Sequence, residues 1–136
     1  MKLDILSHCA IDTIQINDSK YVVSGGPACY CSLTARILKF DVVLHTKFGS
    51  DFPLANYLTE QKIVFEDSLS IKPTTQFVLN LVNSERTLFL QNKCEPISDI
   101  TLNTDNVIIS PIFDEISIEL FEKIKNNASF VMLDPQ

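Results

Sequence analysis

Residues 24–38 read SGGPACYCSLTARIL and directly follow the apolar segment YVV at 21–23. Proline is favourable at the first position of a helix because the N–H that it lacks would be unpaired there. Ala28, Leu33 and Ile37 recur at roughly helical spacing. The stretch therefore predicts a strand, a Gly-Gly junction and a helix over about 27–39.

Hydrophobic patterning on both sides of this junction predicts an α/β fold. The segments 3–9, 42–46, 106–110 and 129–133 have the character of buried strands, while 52–61 and 116–127 are predicted as helices and 63–65 as a short strand. Strand–helix alternation favours a largely parallel sheet. The alternating strands at 12–23, and a hairpin of 75–82 with 86–91 around Asn83-Ser84-Glu85, suit a second, smaller sheet.

Composition narrows the class of protein. The chain has 136 residues, 46% of them hydrophobic, which predicts one globular domain. Its net charge of −6 argues against a sequence-independent nucleic-acid binder and against attachment to anionic membranes. The N-terminus has no apolar signal core, and no apolar run approaches a transmembrane length. We therefore expect a cytoplasmic protein with no nucleic-acid or membrane partner.

The four cysteines are Cys9, Cys29, Cys31 and Cys94. They form no paired CxxC zinc pattern, and only two histidines are available, so no metal site is predicted. We expect reduced, mostly buried thiols.

Several residues are candidates for chemistry, each with a structural alternative. Gly25 and Gly26 at a helix start offer close backbone approach to a ligand, or simply a tight turn. Asp12, after the first strand, offers a carboxylate that accepts two hydroxyl hydrogen bonds, or is a solvated turn residue. The chain has no GxxxxGK[ST], GxGxxG or GxSxG motif.

Four further polar residues are predicted to be structural. Asp51, in the segment Gly49-Ser50-Asp51, is expected to cap the following helix. His8 is expected to be a hydrogen-bonded core histidine, and His45 lies in the middle of a predicted strand. Arg86 is expected to be a solvated charge at the edge of the hairpin.

The order of the motifs resembles the N-terminal half of the ribokinase-like (PfkB) carbohydrate and nucleoside kinase family. The segments that carry the resemblance are SGGPACYCSLTARIL, FGSD, PTTQFVLNLVNSERTLFL, ISPIFDEISIELFEKI and VMLDPQ, in this order along the chain. The resemblance implies a three-layer α/β/α sandwich, present here in part, with a small β-sheet lid at about 12–23 and 74–91 that often mediates dimerisation. It implies a kinase that transfers the γ-phosphate of ATP, with Mg²⁺, to a hydroxyl of a sugar, polyol or nucleoside.

Site residues follow from the same resemblance. The substrate contacts it implies are Asp12, Gly25, Gly26, Tyr30, Gln76 and Val78. Asp134 resembles, weakly, an aspartate near the phosphate and Mg²⁺. Tyr30 stands where family members commonly have Asn, and His8 where Gly is usual. These departures disfavour plain ribose or fructose and point to an inositol-like polyol or a nucleoside.

The family's catalytic Asp, in a Gly-x-Gly-Asp motif, and its nucleotide-binding part have no counterpart here, because no glycine follows Gly49. We therefore expect this sequence to be a truncated part of a longer kinase and to be inactive alone. We also expect it to self-associate through strand edges that no other segment covers. The alternative is a non-catalytic polyol- or nucleoside-binding module or a dimerisation module.

Overall fold

The computed structural model describes residues 1–65 and 67–135, in eight strands and three helices. The strands are β1 (Lys2–Leu6), β2 (Ala10–Ile16), β3 (Ser19–Gly25), β4 (Asp41–His45), β5 (Thr75–Val82), β6 (Glu85–Asn92), β7 (Asn106–Ile109) and β8 (Phe130–Leu133). The helices are α1 (Pro27–Ile37), α2 (Ala55–Glu60) and α3 (Ile118–Asn127). No helix among the described residues is long and apolar enough to cross a membrane.

The main sheet is parallel, in the order β4-β1-β7-β8, and separates two cores. Successive side chains of a strand point to opposite faces, so neighbours on β1 enter different cores. Ile5 packs with residues of α1 and α2, whereas Leu6 packs with residues of α3. Helices therefore cover both faces of the sheet, which gives the three layers that the resemblance implies.

The second sheet, here called the lid sheet, has the order β3-β2-β5-β6. Strand β2 pairs antiparallel with β3 and parallel with β5, and β5 pairs antiparallel with β6. The β5–β6 turn holds Asn83 at φ 49° and Ser84 at φ 67°. Two successive positive φ values match the twist of a tight hairpin, so the turn fixes the register of the two strands.

Two predicted elements are shorter than expected. The predicted helix at 52–61 is confined to α2, because residues 50–54 form turns and Phe52 N–H donates to Gly49 O. The predicted strand at 63–65 is reduced to an isolated bridge between Val64 and Val43.

All four cysteines are free thiols. Cys9, Cys29 and Cys94 are buried, and Cys31 is half-buried. The thiol of Cys9 accepts a hydrogen bond from Thr46 at 3.6 Å, and burial raises the pKa of the Cys9 thiol. The expectation of mostly buried cysteines is therefore confirmed.

Candidate functional site

A cleft of about 540 Å³ lies between the inner face of the lid sheet and the start of α1. Loop 111–114 bounds a further side through Ile112 and Phe113. The residues that line it are Ala10, Asp12, Ile14, Gly26, Pro27, Tyr30, Phe77, Leu79, Arg86, Leu88, Leu90, Ile112 and Phe113. The cleft thus brings together three of the predicted substrate contacts, Asp12, Gly26 and Tyr30.

Asp12 lies on β2 between Val23 of β3 and Phe77 of β5. Burial raises the pKa of its carboxyl above the ordinary value of 3.8. No hydrogen bond within residues 1–65 and 67–135 reaches this carboxylate. Its oxygens are therefore available to a ligand in the cleft.

Gly25 and Gly26 are required by close approach of other atoms. A Cβ at Gly25 would lie 2.9 Å from Asp12 Oδ2 and 3.3 Å from the Tyr30 hydroxyl. Gly26 has φ 82° and ψ 152°, a backbone region that is essentially restricted to glycine, and a Cβ there would lie 2.7 Å from His8 O. The pair therefore forms the tight junction that the sequence offered as one alternative, with protein atoms packed closely against both glycines, and close approach of a ligand stays a prediction.

Tyr30 lies in the first turn of α1, and its side chain is exposed. No side chain caps the start of this helix, whose first residue, Pro27, has no N–H, and the N–H groups of Cys29 and Tyr30 donate to Gly26 O at 3.1 and 3.3 Å. The Tyr30 hydroxyl and the Asp12 carboxylate approach the same glycine from the cleft side. One end of the cleft therefore concentrates hydrogen-bonding groups.

Strand β5 presents Phe77 and Leu79 to the cleft, not Gln76 and Val78. The reason is the two-residue period of a strand, which sends Gln76 and Val78 to the other face. Gln76 Nε2 instead donates to Asp51 Oδ2 at 3.1 Å. The contacts that the resemblance implies on β5 are therefore one residue out of phase with the side chains that line the cleft.

Asp51 fixes the start of β5 and does not cap a helix, so that prediction was wrong. Its Oδ1 accepts hydrogen bonds from Thr74 N at 2.9 Å and Thr74 Oγ1 at 2.6 Å. Slight burial opposes ionisation, yet these hydrogen bonds outweigh it and lower the pKa of the Asp51 carboxyl. The Gly49-Ser50-Asp51 segment thereby ties the lid sheet to the loop after β4.

A buried carboxylate that the sequence did not single out, Glu115, holds the loop that bounds the cleft. Its Oε1 accepts from Ile112 N at 2.8 Å and from His8 N at 3.3 Å, and its Oε2 accepts from Phe113 N at 2.7 Å. This places Ile112 and Phe113 against the end of β1. Only the tertiary fold brings residues 8 and 115 together, so the sequence carried no signal for this contact.

The two histidines are structural. His8 is fully buried, with Nδ1 3.0 Å from Thr75 Oγ1 and Nε2 donating to Glu95 O at 2.8 Å. Burial lowers the pKa of its imidazole, which favours the neutral ring. His45 Nε2 lies 2.9 Å from the buried Asp4 carboxylate. The expectation of a core histidine at position 8 is confirmed.

Arg86 is exposed at the mouth of the cleft, on β6. Asp134 follows β8 and accepts a hydrogen bond from Ser110 Oγ at 2.9 Å. Asp134 is not among the residues that line the cleft. Within the described part of the chain, no cluster of His, Cys, Asp and Glu fits a metal ion.

Comparison with known proteins shows the fold. No protein-family model matches the sequence, and neither does any curated protein. A solved pyrophosphate-dependent kinase in the ribokinase family aligns with 97% of this chain at TM-score 0.85 and 17% identity. A pyrophosphate-dependent kinase in the ribokinase family, complexed with a pyrophosphate analog and myo-inositol, aligns with 97% of this chain at a TM-score of 0.81 and 18% sequence identity. A nucleoside kinase of Methanocaldococcus jannaschii aligns with 98% of this chain at a TM-score of 0.72 and 17% sequence identity.

These alignments cover 49%, 48% and 51% of the three solved chains, so this chain spans about half of their length. At this level of identity the likeness establishes the fold. The chain has the α/β fold of the N-terminal half of ribokinase-family kinases, as the motif order indicates.

Proposed function

We propose that this chain is the substrate-binding and lid portion of a small-molecule kinase that phosphorylates a hydroxyl. The observation that carries the proposal is the cleft, in which an unpartnered carboxylate, a tyrosine hydroxyl and Gly26 lie beneath a β-sheet lid, while the buried Gly25 lies behind Asp12 and Tyr30. The fold it occurs in is that of kinases for sugars, polyols and nucleosides.

In this proposal Asp12 orients the substrate. An ionised carboxylate accepts hydrogen bonds on both oxygens, and two neighbouring hydroxyls of one ring supply both donors. The bare backbone of Gly26 lets the ring approach closely, Gly25 makes room for the Asp12 and Tyr30 side chains, and the Tyr30 hydroxyl adds a further donor or acceptor. Because a complex of one structural neighbour holds myo-inositol, we propose a cyclic polyol as the substrate, with a nucleoside as the second candidate.

Phosphoryl transfer would need a donor site outside this cleft. ATP with Mg²⁺ is the donor that the resemblance implies, whereas two structural neighbours are described as pyrophosphate-dependent. The described residues offer no cluster of side chains for a metal ion. The chain's own part is to bind and orient the acceptor hydroxyl and to exclude water with the lid.

The test measures binding of myo-inositol and of adenosine to the full chain by NMR titration. Three proteins are compared: the wild type, Asp12→Asn and the control Asp18→Asn. Asp18 lies in the turn between β2 and β3, away from the cleft. We expect about tenfold weaker binding for Asp12→Asn, as for loss of a charged hydrogen bond, and no change for the control. Equal binding by all three proteins would refute the proposal.

The pH dependence gives a second signature. Burial raises the pKa of Asp12, so the folded chain binds this proton more tightly than the unfolded chain. Stability from this group is therefore present at low pH and is lost as pH rises through the raised pKa. Ligand binding should have the opposite dependence, because the ionised form accepts the hydroxyls.

With ATP or pyrophosphate added, we expect no phosphorylated product from the chain alone.

The outer face of the lid sheet favours a homodimer as a further role. A row of residues, Val22, Thr13, Val78 and Phe89, crosses all four strands, and Val22 and Phe89 are exposed. We propose that two copies pair through this face. Sedimentation of the wild type at twice the monomer mass, and of Phe89→Lys as a monomer, is the expected result. A monomeric wild type would exclude it.

A further inference from the structure

One side of the cleft is polar and the opposite side is apolar. Its polar end holds Asp12 and Tyr30, whereas the inner face of the β5–β6 hairpin presents Phe77, Leu79, Leu88 and Leu90. Among the cleft residues of these two strands, Arg86 alone is polar, and it lies towards the solvent. A ligand held by Asp12 therefore meets hydrocarbon on its lid side.

The apolar residues form a continuous surface because of the strand register. Leu79 lies directly opposite Leu88, and Phe77 lies opposite Leu90. Side chains of directly opposed residues are in contact range, so the two pairs cover the hairpin from one strand to the other. Leu88 is 53% exposed without a ligand, which leaves this surface available to one.

A hydroxyl turned towards this surface would lose its hydrogen bonds to water without gaining a partner. The face of a six-membered polyol ring is different, because its axial C–H bonds present hydrocarbon wherever no axial hydroxyl interrupts them. The leucines thus distinguish ring faces by their stereochemistry, although they form no hydrogen bond with the ring.

We propose that Leu79, Leu88 and Leu90 are specificity-determining residues that require a cyclic polyol to turn a face without an axial hydroxyl to the lid. The proposal rests on the function proposed above. With that face against the leucines and an edge on Asp12, the orientation of the ring is fixed. The leucines therefore determine which hydroxyl is presented for reaction.

Three inositol stereoisomers test this with identical size and hydroxyl count. In its stable chair, scyllo-inositol has no axial hydroxyl, and myo-inositol has one, which leaves one face free. D-chiro-Inositol has two adjacent axial hydroxyls, one on each face, so neither face suits the lid. By NMR titration of the full chain we expect scyllo- and myo-inositol to bind similarly and D-chiro-inositol about tenfold more weakly, which corresponds to about 1.4 kcal/mol.

Leu88→Asn supplies a hydrogen-bonding group to the lid and should reduce this preference to within about threefold, an effect of under about 1 kcal/mol. Thr87→Asn is the control, because Thr87 is the neighbour of Leu88 on β6, is exposed and faces the other side of the sheet. Leu79→Asn repeats the test on β5. Dispersed amide spectra verify that each variant is folded.

The outcomes separate the two proposals. The inference is supported if the preference for scyllo- and myo-inositol over D-chiro-inositol is lost in the leucine variants and kept in the control. Equal binding of the three isomers, or a preference unchanged by both leucine variants, overturns it while polyol binding stands. Binding of adenosine without any inositol overturns it in favour of a nucleoside site. Absence of binding to every probe overturns the proposed function itself.

Discussion

Gly26 is the residue on which the cleft depends most directly. Its φ of 82° with ψ of 152° is essentially closed to other residues, and an added Cβ would lie 2.7 Å from His8 O and 3.1 Å from Ala10 N. We expect Gly26→Ala to lower the free energy of unfolding by at least about 2 kcal/mol. Urea denaturation measures this, with Ser50→Ala at an exposed turn as the control. A loss below about 0.5 kcal/mol would show that this backbone relaxes freely.

At the same scale, Asp51 shows why part of the site escaped sequence analysis. An aspartate just before a predicted helix is read as a cap, since caps are local. Its actual partner, Thr74, is 23 residues away along the chain. Glu115 is similar, because its hydrogen bond to His8 spans 107 residues. By contrast, the glycine pair was recognisable because the strand end and the helix start that it joins are adjacent in the sequence.

At the scale of elements, the β5–β6 turn offers a paired test. Ser84 has φ 67°, which is strained for serine and free for glycine, so Ser84→Gly should stabilise the chain by about 0.5 kcal/mol. Asn83, at φ 49°, tolerates this region better than alanine does, so Asn83→Ala should destabilise it by about 1 kcal/mol. Thermal unfolding measures both. Changes of the same sign would contradict the turn geometry described here.

The elements themselves were largely predictable. Pro27 after two glycines located the start of α1, and Asn83-Ser84 located the hairpin turn. The face that β5 turns to the cleft was not predictable from the pattern. Phe77 and Leu79 alternate with Gln76 and Val78, and apolar residues occur on both faces, so periodicity leaves the orientation open. Pairing with β2 decides it, because Phe77 lies opposite Asp12.

For the whole molecule, the decisive feature is that β1 serves two cores while β8 lies at an edge of the main sheet. On β8, Phe130, Met132 and Leu133 are each about half exposed. Phe130 also lines an apolar groove of about 650 Å³ beside α1. An edge strand with apolar side chains and unpaired backbone groups is a template for association with another chain.

We therefore expect the light scattering per unit concentration of the wild-type chain to rise with concentration, which reports self-association. Phe130→Lys should reduce this rise severalfold. A charge on the edge strand opposes pairing with another strand, and Phe130 is already 57% exposed, so the fold should persist. Ile71→Lys is the control, because Ile71 is 95% exposed and lies outside both sheets. Reduced scattering in both variants would assign the effect to loss of exposed apolar surface in general and not to the strand edge, because either lysine brings the net charge of −6 closer to zero and by itself weakens repulsion. Unchanged scattering in Phe130→Lys would show that association uses another surface, for which the outer face of the lid is the next candidate.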